Sequence, residues 1–207
     1  MDMSRIFFPR LFRCGNYPVK GDGGNFGYAY YRELIAVECQ RRCVYCDAFE
    51  DEVGGAEAMQ IDHFRPESFP EFEHLRDVPT NLHYACGRCN LLKWSHWPAR
   101  GTAATHNGQD GFIDPFVEDR LEYFRIRSNG QIEGLRPPSQ YIIRLLHLRR
   151  EFLRKLRERR LLWRELEERV AAIKQRLESD QEARQLSDPA ELLELISAFS
   201  DVARALR

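Results

Sequence analysis

The chain lacks any long apolar run. None of its 207 residues falls in a stretch approaching the ~20 apolar positions a membrane-spanning helix requires, so a helical membrane protein is not expected. An export signal is missing as well, because the only apolar start, Ile6-Phe7-Phe8, is cut short by Pro9. A reducing cytoplasm is the expected location, where paired cysteines serve as metal ligands rather than disulfides. Charge of one sign is also absent: 31 Lys+Arg stand against 32 Asp+Glu, a net of −1, which excludes attraction of the whole molecule to a polyanion. No internal repeat is present, which excludes a solenoid. Hydrophobic content of 43% with 12% aromatics excludes wholesale disorder.

Four of the six cysteines form two pairs. Cys43-Val44-Tyr45-Cys46 and Cys86-Gly87-Arg88-Cys89 are CxxC knuckles, and a two-residue spacer lets one tight turn present both sulfurs to one tetrahedral Zn²⁺. A redox role needs only one such motif inside a thioredoxin-like βαβ unit, and neither knuckle has that setting. The 39 residues between the knuckles exceed what a plain zinc ribbon needs, so an insertion carries something further. Cys14 and Cys39 have no CxxC partner and read as ordinary thiols. Cys39 is a minor alternative ligand, four residues before Cys43.

Inside the insertion, Met59-Gln60-Ile61-Asp62-His63 reads as a strand broken at Arg65-Pro66. Adjacent residues of a strand face opposite sides unless the chain bends, which sets Asp62 against His63. Seventeen irregular residues, Phe64 to Thr80, follow, and a loop of that length inside a compact domain is usually functional. Asn81 to Ala85 is strand-like and enters the second knuckle. Cys89 to Lys93 then reads as the first turn of a helix, with Asn90 and Lys93 on one side.

This order of elements resembles the HNH nucleases of the ββα-metal (His-Me finger) group: CxxC, a DH pair, an Asn opening the second strand, then CxxC-N-x-x-K. The resemblance spans roughly Cys43 to Trp97. It implies that His63 is the general base, that Asp62 and Asn90 hold a catalytic divalent ion, and that Asn81 anchors the loop orienting His63. Most relatives carry His where Asn90 stands, so the chain is an HNN variant. A neutral amide oxygen suits Mg²⁺ or Mn²⁺ better than zinc. The chemistry agrees, since cleaving a phosphodiester needs a proton acceptor near pH 7 and a positive centre for developing charge. Tyr45, the IDHFRPES run and Phe112-Ile113-Asp114-Pro115-Phe116 further resemble the HNH subunits of Septu-type and retron-associated antiphage systems. That likeness implies an ABC-type or AAA-like ATPase partner.

Lys93 is a candidate phosphate contact and equally a solvated helix residue; Arg65 and Arg88 are further nucleic-acid candidates. His83 reads as structural and Asp114 as part of an Asp-Pro turn. His74, His96, His106 and His147 fit no ligand spacing.

Residues 1–27 read as irregular, Tyr28 to Gln40 as a short amphipathic helix, and Glu122 to Leu135 as a β-hairpin with a type I′ turn at Asn129-Gly130. After Pro137-Pro138 the composition is helical. Phe152, Leu156, Trp163, Leu166, Val170, Ile173 and Leu177 form a three-and-four stripe, and Ser187-Asp188-Pro189 announces a second helix. Between Arg144 and Arg164 nine basic residues face two acids, a local +7, able to track phosphates or to sit solvated on an amphipathic face. The expected fold is α+β: a ββα-metal finger with a Cys₄ zinc and a β-hairpin over residues 1–136, and an α-helical hairpin over 137–207 for partner binding or self-association. The expected function is hydrolysis of DNA, or RNA, by an HNH endonuclease in a defence complex. The alternative is a catalytically silent zinc module that binds nucleic acid or protein.

Overall fold

The computed structural model describes residues 6–99, 101, 103–179, 193–194 and 196–197. Helix α1 (Arg32–Glu38) follows a 3₁₀ turn and buries Ile35, Ala36 and Glu38. Strands β1 (Met59–His63) and β2 (Leu82–Cys86) pair antiparallel, with Asp62 opposite His83 and His63 opposite Leu82. Short helix α2 (Gly87–Lys93) leaves β2 at once, so the second knuckle straddles the strand-to-helix step. These three elements form a ββα unit. A second antiparallel pair, β3 (Phe124–Ile126) and β4 (Ile132–Gly134), precedes α3 (Ser139–Leu145) and the long α4 (Glu151–Ser179).

One apolar core runs through the molecule. Phe8 and Tyr31 share it with Leu82 and Tyr84 of the finger, and also with Ile142, Leu146, Leu153 and Leu156 beyond the Pro137-Pro138 step. The chain therefore passes residue 137 without leaving the core.

The hairpin forms where expected, but its turn differs. Asn129 does not take positive φ; Gly130 alone does, at +74°, with Gly130 N–H donating to the Arg127 carbonyl and Arg127 N–H to the Gln131 carbonyl. This wider turn with one left-handed glycine replaces the two-residue type I′ turn. A Cβ on Gly130 would lie 2.2 Å from the Arg154 carbonyl oxygen, so the hairpin tip rests directly on α4.

Helix α4 buries only part of its apolar stripe, Leu156 and Leu166. Leu153, Leu156, Arg157 and Leu166 are buried, whereas Phe152, Trp163 and Val170 are 47%, 43% and 43% exposed. The surface under α4 is acidic, which selects cations for the inward positions. Arg160 donates to Asp47 Oδ2 at 3.1 Å, to the Asp47 carbonyl at 2.9 Å and to both oxygens of Glu52. Arg159-Arg160, where the stripe lacks an apolar residue between Leu156 and Trp163, is thus where the helix locks onto the first knuckle. Part of the +7 segment is spent internally in this way. The helix expected after Ser187-Asp188-Pro189 lies outside the described residues apart from Leu193, Glu194, Ile196 and Ser197. Glu194 lies 3.6 Å from Arg169 of α4.

Asp47 is 1% exposed, so removing Arg160 leaves a buried carboxylate with Arg42 as its remaining cation. We expect Arg160→Ala to lower unfolding stability by about 2–3 kcal/mol, since stripping one partner from a buried pair is strongly destabilising. Trp163→Ala, on the exposed face, should change it by under ~1 kcal/mol; the urea midpoints of the two variants measure the difference.

Candidate metal centre and cleft

The first knuckle is a closed turn: Cys43 N–H donates to the Ala48 carbonyl and Asp47 N–H to the Cys43 carbonyl. Asp47 takes a left-handed φ of +65° to complete it. Val44 N–H donates to the Tyr84 carbonyl, which ties this turn to β2 just before Cys86. The four sulfurs of Cys43, Cys46, Cys86 and Cys89 lie within 4.8 Å of one another, all buried. Cys46 Sγ and Cys86 Sγ are 3.9 Å apart, close to the ~3.8 Å between two ligands of a tetrahedral ion with Zn–S of ~2.3 Å. The residues fit zinc. Cys39 stands outside the group of four, and burial pushes its thiol up to about 12. Cys14 is exposed.

An open cleft of about 630 Å³ lies beside this centre, bordered by Tyr28, Gln60, Asp62, His63, Asn90 and Trp94. His63 Nε2 is 2.9 Å from the Arg76 carbonyl oxygen. A carbonyl only accepts, so Nε2 carries the hydrogen and Nδ1 of the neutral ring keeps its lone pair. The Tyr28 ring packs edge-on against the imidazole at 5.1 Å. Glu67, 3.9 Å from Nδ1, is braced by Arg76 at 3.2 Å. The sequence alone showed neither Tyr28 nor the Arg76 carbonyl, because both arrive from distant segments.

Asn81 clips the long loop at two points. Its Oδ1 accepts from Arg65 N–H at 2.9 Å, and its Nδ2 donates to the carbonyls of Arg65 and Leu75. Arg13 clamps the loop exit from outside, donating to the carbonyls of Pro79, Thr80 and Leu82. The Arg65 guanidinium reaches the carbonyls of Ala103 and Ala104 and sits over Trp97 and Phe72, so it braces the loop.

Asp62 and His63 diverge as strand geometry requires. The Asp62 carboxylate is buried and accepts from the Tyr45 hydroxyl and from Lys93 Nζ at 3.0 Å. Burial, and then the Asp62 charge, push the Tyr45 phenol well above its ordinary value, which keeps it a donor. Lys93 is fully buried and also donates to the His63 carbonyl at 2.8 Å. Three residues beyond Asn90, its side chain turns inward from α2, and the Asp62 carboxylate supplies its counter-ion. It is therefore neither a solvated residue nor open to a phosphate. Of the three nucleic-acid candidates, Arg88 alone is exposed. Asn90 donates through Nδ2 to Gln60 Oε1 at 2.7 Å, which leaves its Oδ1 for a cation or water. The Asn90 oxygen and the remaining lone pairs of Asp62, both on this cleft, are the groups that could hold a hard divalent ion, with Lys93 competing for the single negative charge. That set fits Mg²⁺ or Mn²⁺ retaining most of its waters.

Residues 43–95 match the family model described as HNH endonuclease. This segment is an HNH domain. A search of the curated proteins finds no match to the chain. Within the HNH domain the matched stretch runs from the first zinc knuckle, through His63, to just past α2. No helix among the described residues is long and apolar enough to cross a membrane.

His83 is fully buried against Phe64 and Phe116, 3.7 Å from Asp114, and neither ring nitrogen has a hydrogen-bond partner. Asp114 accepts from Phe116 N–H as a turn residue does. Burial, and then Arg13, Lys93 and Arg120, hold His83 well below its usual 6.5.

Two outcomes are expected. Metal analysis should find one tightly bound zinc per chain. Cys86→Ser should lose it and unfold the finger, because binding energy at such a site is folding energy. His83 binds its proton more readily when unfolded, so stability holds above about pH 6.5 and falls as pH drops toward its depressed folded value. Replacing it with Phe should flatten the decline in melting temperature between about pH 7 and pH 5.

Proposed function

We propose that the chain is a divalent-metal-dependent phosphodiesterase that cuts DNA or RNA, with His63 as general base. One observation carries the reading. Within the HNH domain the only polar partner of His63 Nε2 is a carbonyl, and Nδ1 is left basic in a cleft that also holds Asn90. Nδ1 takes a proton from a water as its oxygen attacks phosphorus opposite the leaving oxygen. Arg76 holds the ring's tautomer through its carbonyl, and Asn81 holds the loop that brings Arg76 there. A Mg²⁺ or Mn²⁺ on Asn90 and Asp62 would supply positive charge to the phosphate and the leaving oxygen. Tyr45 and Lys93 keep the Asp62 carboxylate in place.

The Lys93–Asp62 pair favours a second reading, a silent zinc module that binds nucleic acid or protein, because the ammonium already neutralises the carboxylate. The two readings separate on activity.

We further propose that the protein is the effector of an antiphage complex. The likeness of the Tyr45, IDHFRPES and Phe112–Phe116 runs to the HNH subunits of such systems supports this. The half-exposed Trp163 and Val170 of α4 offer a face for an ATPase partner or a second copy.

Plasmid and oligonucleotide cleavage with Mg²⁺ or Mn²⁺ tests this, run with and without any ATPase found beside the protein in the cell. His63→Ala should lower the rate by at least ~10²-fold with zinc content and circular dichroism unchanged. Equal rates for His63→Ala and wild type would remove His63 from the chemistry. No metal-dependent cutting under either condition would favour the silent module.

A further inference from the structure

A second groove adjoins the cleft. It encloses about 540 Å³ and is bordered by Val53, Ala58, Gly87, Arg88, Arg150 and Phe152. Two residues bring guanidinium groups and no acidic residue lines it. Two acids close by in the chain are already engaged: Glu151 is held by two nitrogens of Arg154 at 2.8 Å, and Glu52 by Arg160. Arg88 is exposed. Phe152 keeps 47% of its surface open, although an aromatic ring at the start of a packed helix would ordinarily turn inward.

Gly87 borders both this groove and the cleft that holds His63 and Asn90. Helix α2, seven residues long, covers about 10 Å at ~1.5 Å per residue. At its far end Trp94 is 70% exposed on the cleft rim. Its backbone sits at φ +43°, ψ −129°, a strained conformation for a non-glycine residue. An open aromatic ring therefore stands at each end of α2, with positive charge at one of them. Base faces are available for stacking in an unpaired strand and hidden in a duplex.

We propose that the groove is a subsite for single-stranded nucleic acid, in which Arg88 and Arg150 hold phosphates and Phe152 stacks a base. The strand continues over Gly87 into the cleft, where Trp94 provides a second stacking surface. The continuation into the cleft rests on the hydrolase reading above; binding in the groove does not.

The test uses the full zinc-loaded chain carrying His63→Ala, without added Mg²⁺, and fluorescence anisotropy of labelled single-stranded DNA, single-stranded RNA and duplex DNA long enough to span both grooves. Wild-type groove residues should bind at least one single strand more tightly than duplex. Phe152→Leu should weaken that binding at least ~5-fold while Phe152→Trp retains it, since leucine preserves packing and loses stacking. Arg88→Ala should reduce the log–log salt slope by about 0.7, the loss of one phosphate contact on a single strand. With His63 intact, hydrolysis of bis(p-nitrophenyl) phosphate, which is small enough to fill the cleft alone, reads the cleft separately from the groove. Tighter binding to duplex than to both single strands, or unchanged affinity in Phe152→Leu, would overturn the proposal. Failure of the parent protein to hydrolyse the small diester bears on the proposed function alone, because anisotropy reads the groove independently.

Discussion

Four sulfurs held within 4.8 Å join two chain segments that are far apart in sequence, and the geometry of the cleft follows from that junction. The first knuckle is a turn hydrogen-bonded to β2 through Val44 and Tyr84. The second is the step from β2 into α2. Pinning both fixes where β1 ends and where Asn90 stands, so His63 and Asn90 border one cavity. Small domains commonly need such a staple. Here the staple is backed from behind by α4, whose Arg160 grips Asp47, the residue that follows Cys46.

The finger was largely legible in the sequence because its signals are covalent or periodic. CxxC spacing survives any tertiary context, and the five-residue strand before the Arg65-Pro66 break and the Asn81 register are local patterns. The inward face of α4 was illegible for the opposite reason. Apolar periodicity marks Phe152, Leu156, Trp163, Leu166 and Val170, yet only the two leucines turn in, because Asp47 and Glu52 on the surface below draw Arg160 inward and leave the aromatics facing out. The hairpin shows a smaller version of this. Asn-Gly marks the turn correctly, but contact of Gly130 with Arg154 favours a wider loop with one left-handed residue over a two-residue turn.

At the cleft, sequence order brought the expected residues to one place without fixing what each side chain does there. The divergence of Asp62 and His63 was readable from strand alternation. The destination of Asp62, a buried set with Tyr45 and Lys93, was not, because Lys93 reads locally as any basic residue on a short helix. A buried ammonium needs a counter-ion, and Asp62 is the acid within reach. The same carboxylate therefore faces two claims, one from a lysine inside and one from the cleft outside.

The imidazole hydrogen sits on Nε2 because a carbonyl thirteen residues further along the chain accepts it. The protonation pattern of the ring is thus stored in the loop rather than in the strand that bears it. A substitution between residues 64 and 80 that turned this carbonyl away would free the hydrogen to move to the other nitrogen. The ring would keep its position and lose the lone pair that points into the cleft. The change would be confined to one peptide group of the loop and one hydrogen of the ring, and it would leave the zinc knuckles untouched.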